Sequence, residues 1–143
     1  MFKKILVPVD LTDPEHYRDA LNSAASFARQ TGGTVRLVTV LPVLPSVVAD
    51  YLPVETQGKM LDEASDKLRG LLADMAIGEG ESEVVVREGS VYHEVLEEAE
   101  ECGADLIIMG SHRPAMATYL LGSNAARIVR HAPCSVMVLR GKA

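Results

Sequence analysis

Five short apolar runs divide the chain, and none of them alternates strictly between apolar and polar residues. Aliphatic and β-branched runs of this kind are typical of strands that are buried on both faces of a parallel sheet. We therefore predict five buried strands, over Ile5 to Val9, Val35 to Val40, Val84 to Val86, Leu106 to Met109 and Val136 to Leu139.

Between these runs, apolar residues recur at spacings of three and four, which marks one face of an α-helix. Strands and helices alternate along the chain, so the pattern predicts an α/β fold, a doubly wound five-stranded parallel sheet with helices on both faces, in a Rossmann-like arrangement. The helical stripes are Tyr17, Leu21, Ala24, Ala25 and Ala28; Leu61, Ala64, Leu68, Leu71, Leu72 and Met75; Val91, Val95, Ala99 and Cys102; and Leu121, Ala125, Ile128 and Val129.

Polar residues and glycines mark where the helices begin and end. Thr12, with Glu15 three positions later, predicts a capping box at the start of the first helix, and Gly32 predicts its end. Ser90 and Gly103 predict the start and end of the third helix in the same way.

One segment, Leu41 to Pro53, is apolar and interrupted by three prolines, so it is predicted to form no regular element. We favour a loop that lies on the core. The alternative is a flap beside a ligand site or a contact for a partner protein.

Length and charge limit the number of domains and the kinds of partner that the protein can have. The 143 residues suffice for one domain, 1–143, and the net charge of -6 argues against a nucleic-acid partner, which requires a basic face. The apolar stretch that follows Lys3 and Lys4 ends at Asp10, too short for a signal peptide or a membrane span. We expect a cytoplasmic protein that does not bind membranes.

Two glycine-containing segments indicate a phosphate site. Gly110 to Arg113 follows the fourth strand, and Gly122 to Asn124 begins the fourth helix. Glycine lets backbone amides approach an anion, and a helix N-terminus offers free N–H groups. Because the chain is acidic, a bound nucleotide would need local donors and a divalent cation.

The two common nucleotide motifs are absent from the sequence. No GxxxxGK segment followed by serine or threonine occurs, which excludes a P-loop. The turn after the first strand, Val7 to Asp13, contains no glycine, which excludes the dinucleotide-binding GxGxxG motif.

Four segments, Lys4 to Asp10, Ala104 to His112, Gly122 to Asn124 and Ala132 to Val136, resemble the universal stress protein family, and the resemblance spans the whole chain. It is greatest to the small, UspA-like single-domain branch that binds ATP. The resemblance implies the adenine nucleotide alpha hydrolase-like form of the fold, ATP with Mg²⁺ or Mn²⁺ as ligands, a homodimer, and a regulatory or protective role in stress response with an unknown protein partner.

The resemblance also assigns site residues. Pro8 and Val9 would line the adenine slot, Val40 would close it from the side, and Asp10 would face the ribose or phosphates and bind the metal ion. The other assignments are Met109 and Gly110 beside the ribose, Ser111 and His112 in the first turn of the phosphate loop, Gly122, Ser123 and Asn124 at the phosphates, and Ser135 and Val136 at the rim near the phosphates.

This chain departs from the family pattern at two places. Arg113 stands where the pattern usually has a second glycine, and Leu11 and Thr12 replace a small pair such as Gly-Ser. A guanidinium beside a phosphate contributes about 1.5 to 3 kcal/mol, so Arg113 is a candidate phosphate ligand. The alternative is a solvated loop residue.

Other polar residues are assigned to structure. We interpret four glutamates that share one helix face as a solvated face, since like charges at helical spacing are typical of such faces. Two cysteines without CxxC spacing are interpreted as small core residues. These residues are Glu94, Glu97, Glu98 and Glu101, and Cys102 and Cys134.

The last strand predicts the assembly. Ser135 to Leu139 is followed by only four residues, so at a sheet edge it would expose unpaired backbone groups. Pairing with a second copy about a two-fold axis would cover that edge and form a homodimer through the C-terminal strand. The alternative is an edge protected by the tail, Arg140 to Lys142.

The sequence thus predicts an ATP-binding regulatory or protective protein with no assigned catalytic residue. Any ATP hydrolysis is expected to be slow, because no general base is assigned near the γ-phosphate. One alternative is a nucleotide-independent interaction protein of the same fold. Another is an adenylyl-transferring enzyme. Such an enzyme requires histidine and glycine pairs in the first loop, and the segment Pro8 to Pro14 contains no glycine.

Overall fold

A computed structural model describes residues 1–43, 45–51, 53–75, 82–110 and 122–140. It confirms the predicted α/β fold and adds one short helix. The strands are β1 (Lys4–Pro8), β2 (Thr34–Leu41), β3 (Ser82–Glu88), β4 (Leu106–Gly110) and β5 (Ser135–Leu139), and the helices are α1 (Pro14–Thr31), α2 (Ser46–Ala49), α3 (Val54–Asp74), α4 (Val91–Cys102) and α5 (Ser123–His131).

The five strands form one parallel sheet in the order β3-β2-β1-β4-β5. The chain starts in the middle strand, builds outward to β3 and then crosses to β4 on the other side of β1. The order therefore reverses between β1 and β4, and a crevice forms outside the carboxyl ends of strands at such a switch point.

Two apolar clusters cover the two faces of the sheet. Ile5 and Val7 of β1 pack on one face with Ala24 of α1 and Leu68 of α3. Leu6 points the other way, into a cluster that α4 and α5 complete. Successive side chains of β1 point to opposite faces of the sheet, and helices cover both faces. This explains the continuous apolar sequence of β1, from which the strand was predicted.

The structure confirms two helix ends and corrects the start of α1. Gly32 and Gly103 follow α1 and α4 in left-handed conformation, with φ of 69° at both, as predicted. Asp13, not Thr12, immediately precedes α1, and no side chain caps the helix. The predicted capping box is wrong, because the Thr12 hydroxyl instead donates a 2.6 Å hydrogen bond to Asp10 Oδ1.

The prediction of no regular element from Leu41 to Pro53 is also corrected, since Leu41 is the last residue of β2. The segment contains helix α2, and its side chains at Val43, Val47 and Tyr51 are 65, 68 and 85% exposed. The favoured interpretation, a loop lying on the core, is wrong for these three residues. The first two residues of the segment, Leu41 and Pro42, border a cavity that is described below.

The four glutamates of α4 surround one arginine. Arg87, near the end of β3, donates hydrogen bonds of 2.9 to 3.1 Å to all four, and the Glu98 side chain is only 4% exposed. The solvated-face interpretation is therefore wrong for Glu98 and for the largely buried Glu94. Burial opposes the charge on Arg87, but its bonds to Glu94, Glu101 and Glu98 raise the net pKa above the ordinary arginine value.

His93 extends this cluster at the surface. Its ring nitrogen, Glu94 and Glu97 form the one group of three potential metal ligands among the described residues, with ligand atoms within 4.8 Å of one another. Both carboxylates are already in ion pairs with Arg87, which supplies the positive charge they need.

The cysteines behave as small packing residues. Cys134 packs against the cluster beneath α4 and α5, and Cys102 is half-buried. Burial raises the pKa of both thiols, so both are protonated at neutral pH and are poor nucleophiles.

None of the helices in the described ranges is long and apolar enough to cross a bilayer.

Candidate functional site

A cavity of about 400 Å³ opens at the carboxyl end of the sheet, at the switch point between β1 and β4. This volume lies within the range of small-molecule sites. The lining residues come from the β1–α1 loop, the ends of β2 and β4, and the first turns of α4 and α5: Pro8, Val9, Asp10, Leu11, Thr12, Asp13, Val38, Thr39, Val40, Leu41, Pro42, Val91, Val95, Met109, Gly110, Gly122, Ser123, Asn124 and Ala125.

The β1–α1 loop forms a tight turn although it contains no glycine. Asp10 Oδ1 accepts hydrogen bonds from the Thr12 backbone N–H at 3.0 Å and from the Thr12 hydroxyl at 2.6 Å. The Asp13 N–H donates to the backbone carbonyl of Asp10 at 3.0 Å. Aspartate supports such turns by accepting hydrogen bonds from the residues that follow, so this turn needs no glycine.

The end of β2 offers backbone groups to the cavity. The Val9 N–H donates to the Val38 carbonyl at 2.7 Å, and the Gly89 N–H donates to the Leu41 carbonyl at 2.9 Å. Backbone groups of successive strand residues point to opposite sides, so Val40, like Val38, points toward β1. The last residue that β1 pairs with β2 is Pro8, opposite Val38. The N–H and C=O of Val40 therefore extend past the end of β1 toward the cavity.

Apolar side chains line the same part of the cavity. Val9, Val38 and Val95 are buried and hold the floor. The Thr39 hydroxyl is buried as well and donates to the Val9 carbonyl at 2.8 Å, so that the floor contains no unpaired hydroxyl at this point. Met109, near the end of β4, lines the cavity as well. This part of the cavity is therefore apolar, and the backbone N–H and C=O of Val40 border it.

The other end of the cavity is the start of α5. Gly122 precedes the helix in extended conformation without a side-chain cap, and its carbonyl accepts the first intrahelical bond, from the Ala126 N–H at 2.9 Å. The backbone N–H groups of Ser123, Asn124 and Ala125 precede that bond and have no partner within the helix. A helix N-terminus with free N–H groups and exposed polar side chains is suited to an anion.

The cavity carries negative charge on its protein side. Asp10 and Asp13 line it, and no lysine or arginine does so among the described residues. A phosphorylated ligand therefore needs a counter-charge besides the backbone N–H groups, from a bound cation or from a side chain outside the described ranges.

The structure brings together nine of the fourteen residues assigned from the sequence. Ser111, His112 and Arg113 lie outside the described residues. The nine that line the cavity are Pro8, Val9, Asp10, Val40, Met109, Gly110, Gly122, Ser123 and Asn124.

Ser135 and Val136 do not reach the cavity. They are paired with Leu106 and Ile107, at the amino end of β4, whereas the cavity lies at the carboxyl end, where Gly110 is paired with Leu139. The assignment of Ser135 and Val136 to the phosphate rim is corrected on this ground, because β5 runs parallel to β4 and places its first residues at the far edge of the sheet.

Sequence reasoning missed some of the lining residues. Val91 and Val95 were assigned to the core stripe of α4, yet both border the cavity. In a parallel sheet each helix begins near the carboxyl edge, so the first turn of α4 lies at the same edge as the ends of β1 and β4. Ser90 marks the start of α4 in the sequence, so it could have indicated that Val91 and Val95 lie near this edge of the sheet.

Comparison with known proteins agrees with this geometry. The model of the universal stress protein family matches residues 1–140. Universal stress protein G of Shigella flexneri is 36% identical over 143 aligned residues, which cover 98% of this chain and 100% of the relative. A universal stress protein of Methanothermobacter thermautotrophicus is 30% identical and covers 98% and 97% of the two chains.

Solved structures share the whole fold. Hypothetical protein MJ0577 superimposes with a TM-score of 0.81 at 27% identity, over 100% of this chain and 99% of the other. UspA from Lactobacillus plantarum gives a TM-score of 0.79 at 24% identity, over 97% and 98%. A universal stress protein solved in complex with cAMP gives 0.64 at 22%, over 99% and 98%. With the sheet order, the sequence relatives and the family model in agreement, this chain belongs to the universal stress protein family.

Proposed function

We propose that this protein binds ATP together with Mg²⁺ or Mn²⁺ in the cavity at the switch point, and acts as a homodimeric regulatory or protective module in the cytoplasmic stress response. One observation carries the proposal. Val40 and the first residues of α5 line one cavity, so backbone groups suited to a base and N–H groups suited to phosphates border the same space.

The backbone of Val40 fits adenine. Adenine presents an N–H donor at its exocyclic nitrogen beside a ring-nitrogen acceptor, so the Val40 carbonyl accepts from the first and the Val40 N–H donates to the second. Guanine presents the opposite order, a carbonyl acceptor beside a ring N–H donor. Its carbonyl would face the Val40 carbonyl, and its ring N–H would face the Val40 N–H. Such unpaired polar groups in a buried slot cost binding free energy.

The α5 end of the cavity would hold the phosphates. The N–H groups of the first turn and the Ser123 hydroxyl supply donors, and Asp10 supplies an oxygen ligand of the kind that Mg²⁺ prefers. Met109 and Gly110 would lie beside the ribose. Ser111, His112 and Arg113, outside the described residues, complete the proposed phosphate contacts.

The family relative that was solved in complex with cAMP supports an adenine nucleotide as the ligand class. We assign no catalytic residue. Asp10 is proposed to hold the cation rather than to act as a base, so we expect ATP hydrolysis, where it occurs, to be slow.

Thermal melting tests the proposal. Nucleotide-stripped protein with Mg²⁺ and ATP at a hundred times its Kd should gain about 2.7 kcal/mol of stability, which is about 8 °C in melting temperature for a chain of this size. GTP with Mg²⁺ is the matched control and should give a clearly smaller rise. No rise with ATP, or an equal rise with both nucleotides, would contradict the proposal.

The proposed homodimer rests on β5, which lies at one edge of the sheet. In the described sheet β5 pairs only with β4, and its residues from Val136 to Leu139 are half-buried and apolar. Pairing with a second copy would bury this ribbon and satisfy its backbone groups. Sedimentation equilibrium should give twice the 15.4 kDa mass of the chain, and a monomer mass across the micromolar range would contradict the dimer.

A second candidate is a nucleotide-independent interaction protein. The exposed apolar side chains of Val43, Val47 and Tyr51 favour it, since they suit contact with a protein partner, whose identity is unknown. The melting experiment separates the two candidates, because only the first requires a response to ATP.

A further inference from the structure

Thr12 lines the cavity but is not among the residues proposed to contact the nucleotide or the cation. It lies in the β1–α1 loop beside Asp10. Its hydroxyl and its backbone N–H both donate to the same oxygen of Asp10, Oδ1, at 2.6 and 3.0 Å. We propose that Thr12 is a positioning residue, which fixes the Asp10 carboxylate so that only its other oxygen, Oδ2, binds the divalent cation of the nucleotide. This inference rests on the proposed function.

The division of the two oxygens is the basis of the proposal. Oδ2 of Asp10 accepts no hydrogen bond from the residues that the structure describes, so it is available to a cation, whereas Oδ1 is committed to Thr12. The Asp13 N–H fixes the Asp10 backbone carbonyl at 3.0 Å. The side chain and the backbone carbonyl of Asp10 are therefore both held within the same turn, by Thr12 and by Asp13.

A fixed, single oxygen ligand suits the expected ions. Mg²⁺ requires near-octahedral geometry and takes few carboxylate ligands, usually through one oxygen, while Ca²⁺ accepts two oxygens of one carboxylate in a flexible site. With Oδ1 already accepting two hydrogen bonds, Asp10 is restricted to one-oxygen binding. Thr12 therefore favours Mg²⁺ and Mn²⁺ over Ca²⁺.

The energetic expectation follows from known metal sites, where loss of a group that orients a ligand weakens metal binding about 10- to 100-fold. Thr12 is exposed to solvent, and its N–H remains after substitution of the side chain. We therefore expect the lower end of this range, about tenfold, when only the hydroxyl is removed.

Thr12→Val removes the hydroxyl and keeps the branched shape, and Thr12→Ser keeps the hydroxyl and is the matched control. Electron paramagnetic resonance of Mn²⁺ bound to the protein with ATP measures cation affinity without any reaction. Thr12→Val should weaken Mn²⁺ binding about tenfold and reduce the preference for Mn²⁺ over Ca²⁺, while Thr12→Ser should match the wild type. Equal Mn²⁺ affinity of Thr12→Val and wild type would overturn the inference.

A double-mutant cycle shows whether Thr12 acts through Asp10. In an Asp10→Asn background the effect of Thr12→Val on Mn²⁺ affinity should disappear, because the carboxylate that Thr12 orients is gone. An undiminished effect would overturn the positioning role and assign the loss to a general change in the loop. If the wild type itself binds no ATP with Mn²⁺, the proposed function fails; if it binds and Thr12→Val binds equally, only the inference fails.

Discussion

Replacing Gly122 with valine is expected to remove most of the rise in melting temperature that ATP and Mg²⁺ produce in the wild type. Gly122 borders the cavity immediately before α5, in extended conformation and beside the free N–H groups of the first turn. A branched side chain there would occupy the space through which phosphate oxygens approach those groups. Losing two charge-assisted hydrogen bonds at about 1.5 to 3 kcal/mol each weakens binding about a hundredfold or more.

The comparison is made at one ATP concentration, a hundred times the wild-type Kd. There, a hundredfold weaker variant gains only about 0.4 kcal/mol, against about 2.7 kcal/mol for the wild type. Gly58→Val is the matched control, because Gly58 lies in α3 with open space around it and does not border the cavity. Equal responses of Gly122→Val and wild type to ATP would contradict the phosphate site at α5.

Replacing Arg87 with methionine is expected to destabilise the fold by about 3 to 5 kcal/mol, the usual cost of removing one partner of a buried ion pair. Arg87 is 16% exposed and is the shared partner of four glutamates. Without it, Glu98 at 4% exposure keeps Arg36, 2.8 Å away, as its one cationic partner among the described residues, and it lies near three other glutamates that have lost Arg87. Most of the loss should come from Glu98 and Glu94, since exposed pairs contribute little.

Urea denaturation measures this loss through the change in midpoint. The matched control is Arg69→Met, which removes an arginine from an exposed pair with Asp66 on α3 and should cost less than about 1 kcal/mol. Adding Glu98→Gln to Arg87→Met should restore part of the stability, because it removes the buried charge that lost its partner. If Arg87→Met proves as mild as Arg69→Met, the cluster does not support the fold.

The Arg87 cluster shows why a helical charge pattern is ambiguous. Glutamates three and four residues apart share one face of α4, and the sequence places that face toward solvent by default. The structure turns part of it toward β3, where Arg87 supplies the compensating charge from a strand that precedes the helix. No spacing within α4 encodes this partner, because the contact depends on how the helix packs on the sheet, which brings its glutamates within reach of Arg87.

The segment that follows β2 illustrates the same limit. Its prolines and apolar residues indicated a loop, and the structure shows a short helix, α2, that exposes Val47 and is followed by the exposed Tyr51. A sequence pattern that contains apolar residues does not state whether they meet the core, a ligand or another protein. Here the first residues, Leu41 and Pro42, border the cavity, and the later ones are exposed, so one segment joins the site to an apolar surface.

The sequence alone determined the five strands, the four longer helices, the order in which they alternate and the edge of the sheet where the cavity opens. Buried parallel strands require continuous apolar runs, and glycines such as Gly32 and Gly103 must follow helices in left-handed conformation, so both features are visible in one dimension. Tertiary structure decided which groups meet. It directed the backbone of Val40 past the end of β1 and moved Ser135 and Val136 to the far edge. These outcomes depend on strand register and on the different lengths of neighbouring strands, which arise only when distant parts of the chain pack against each other.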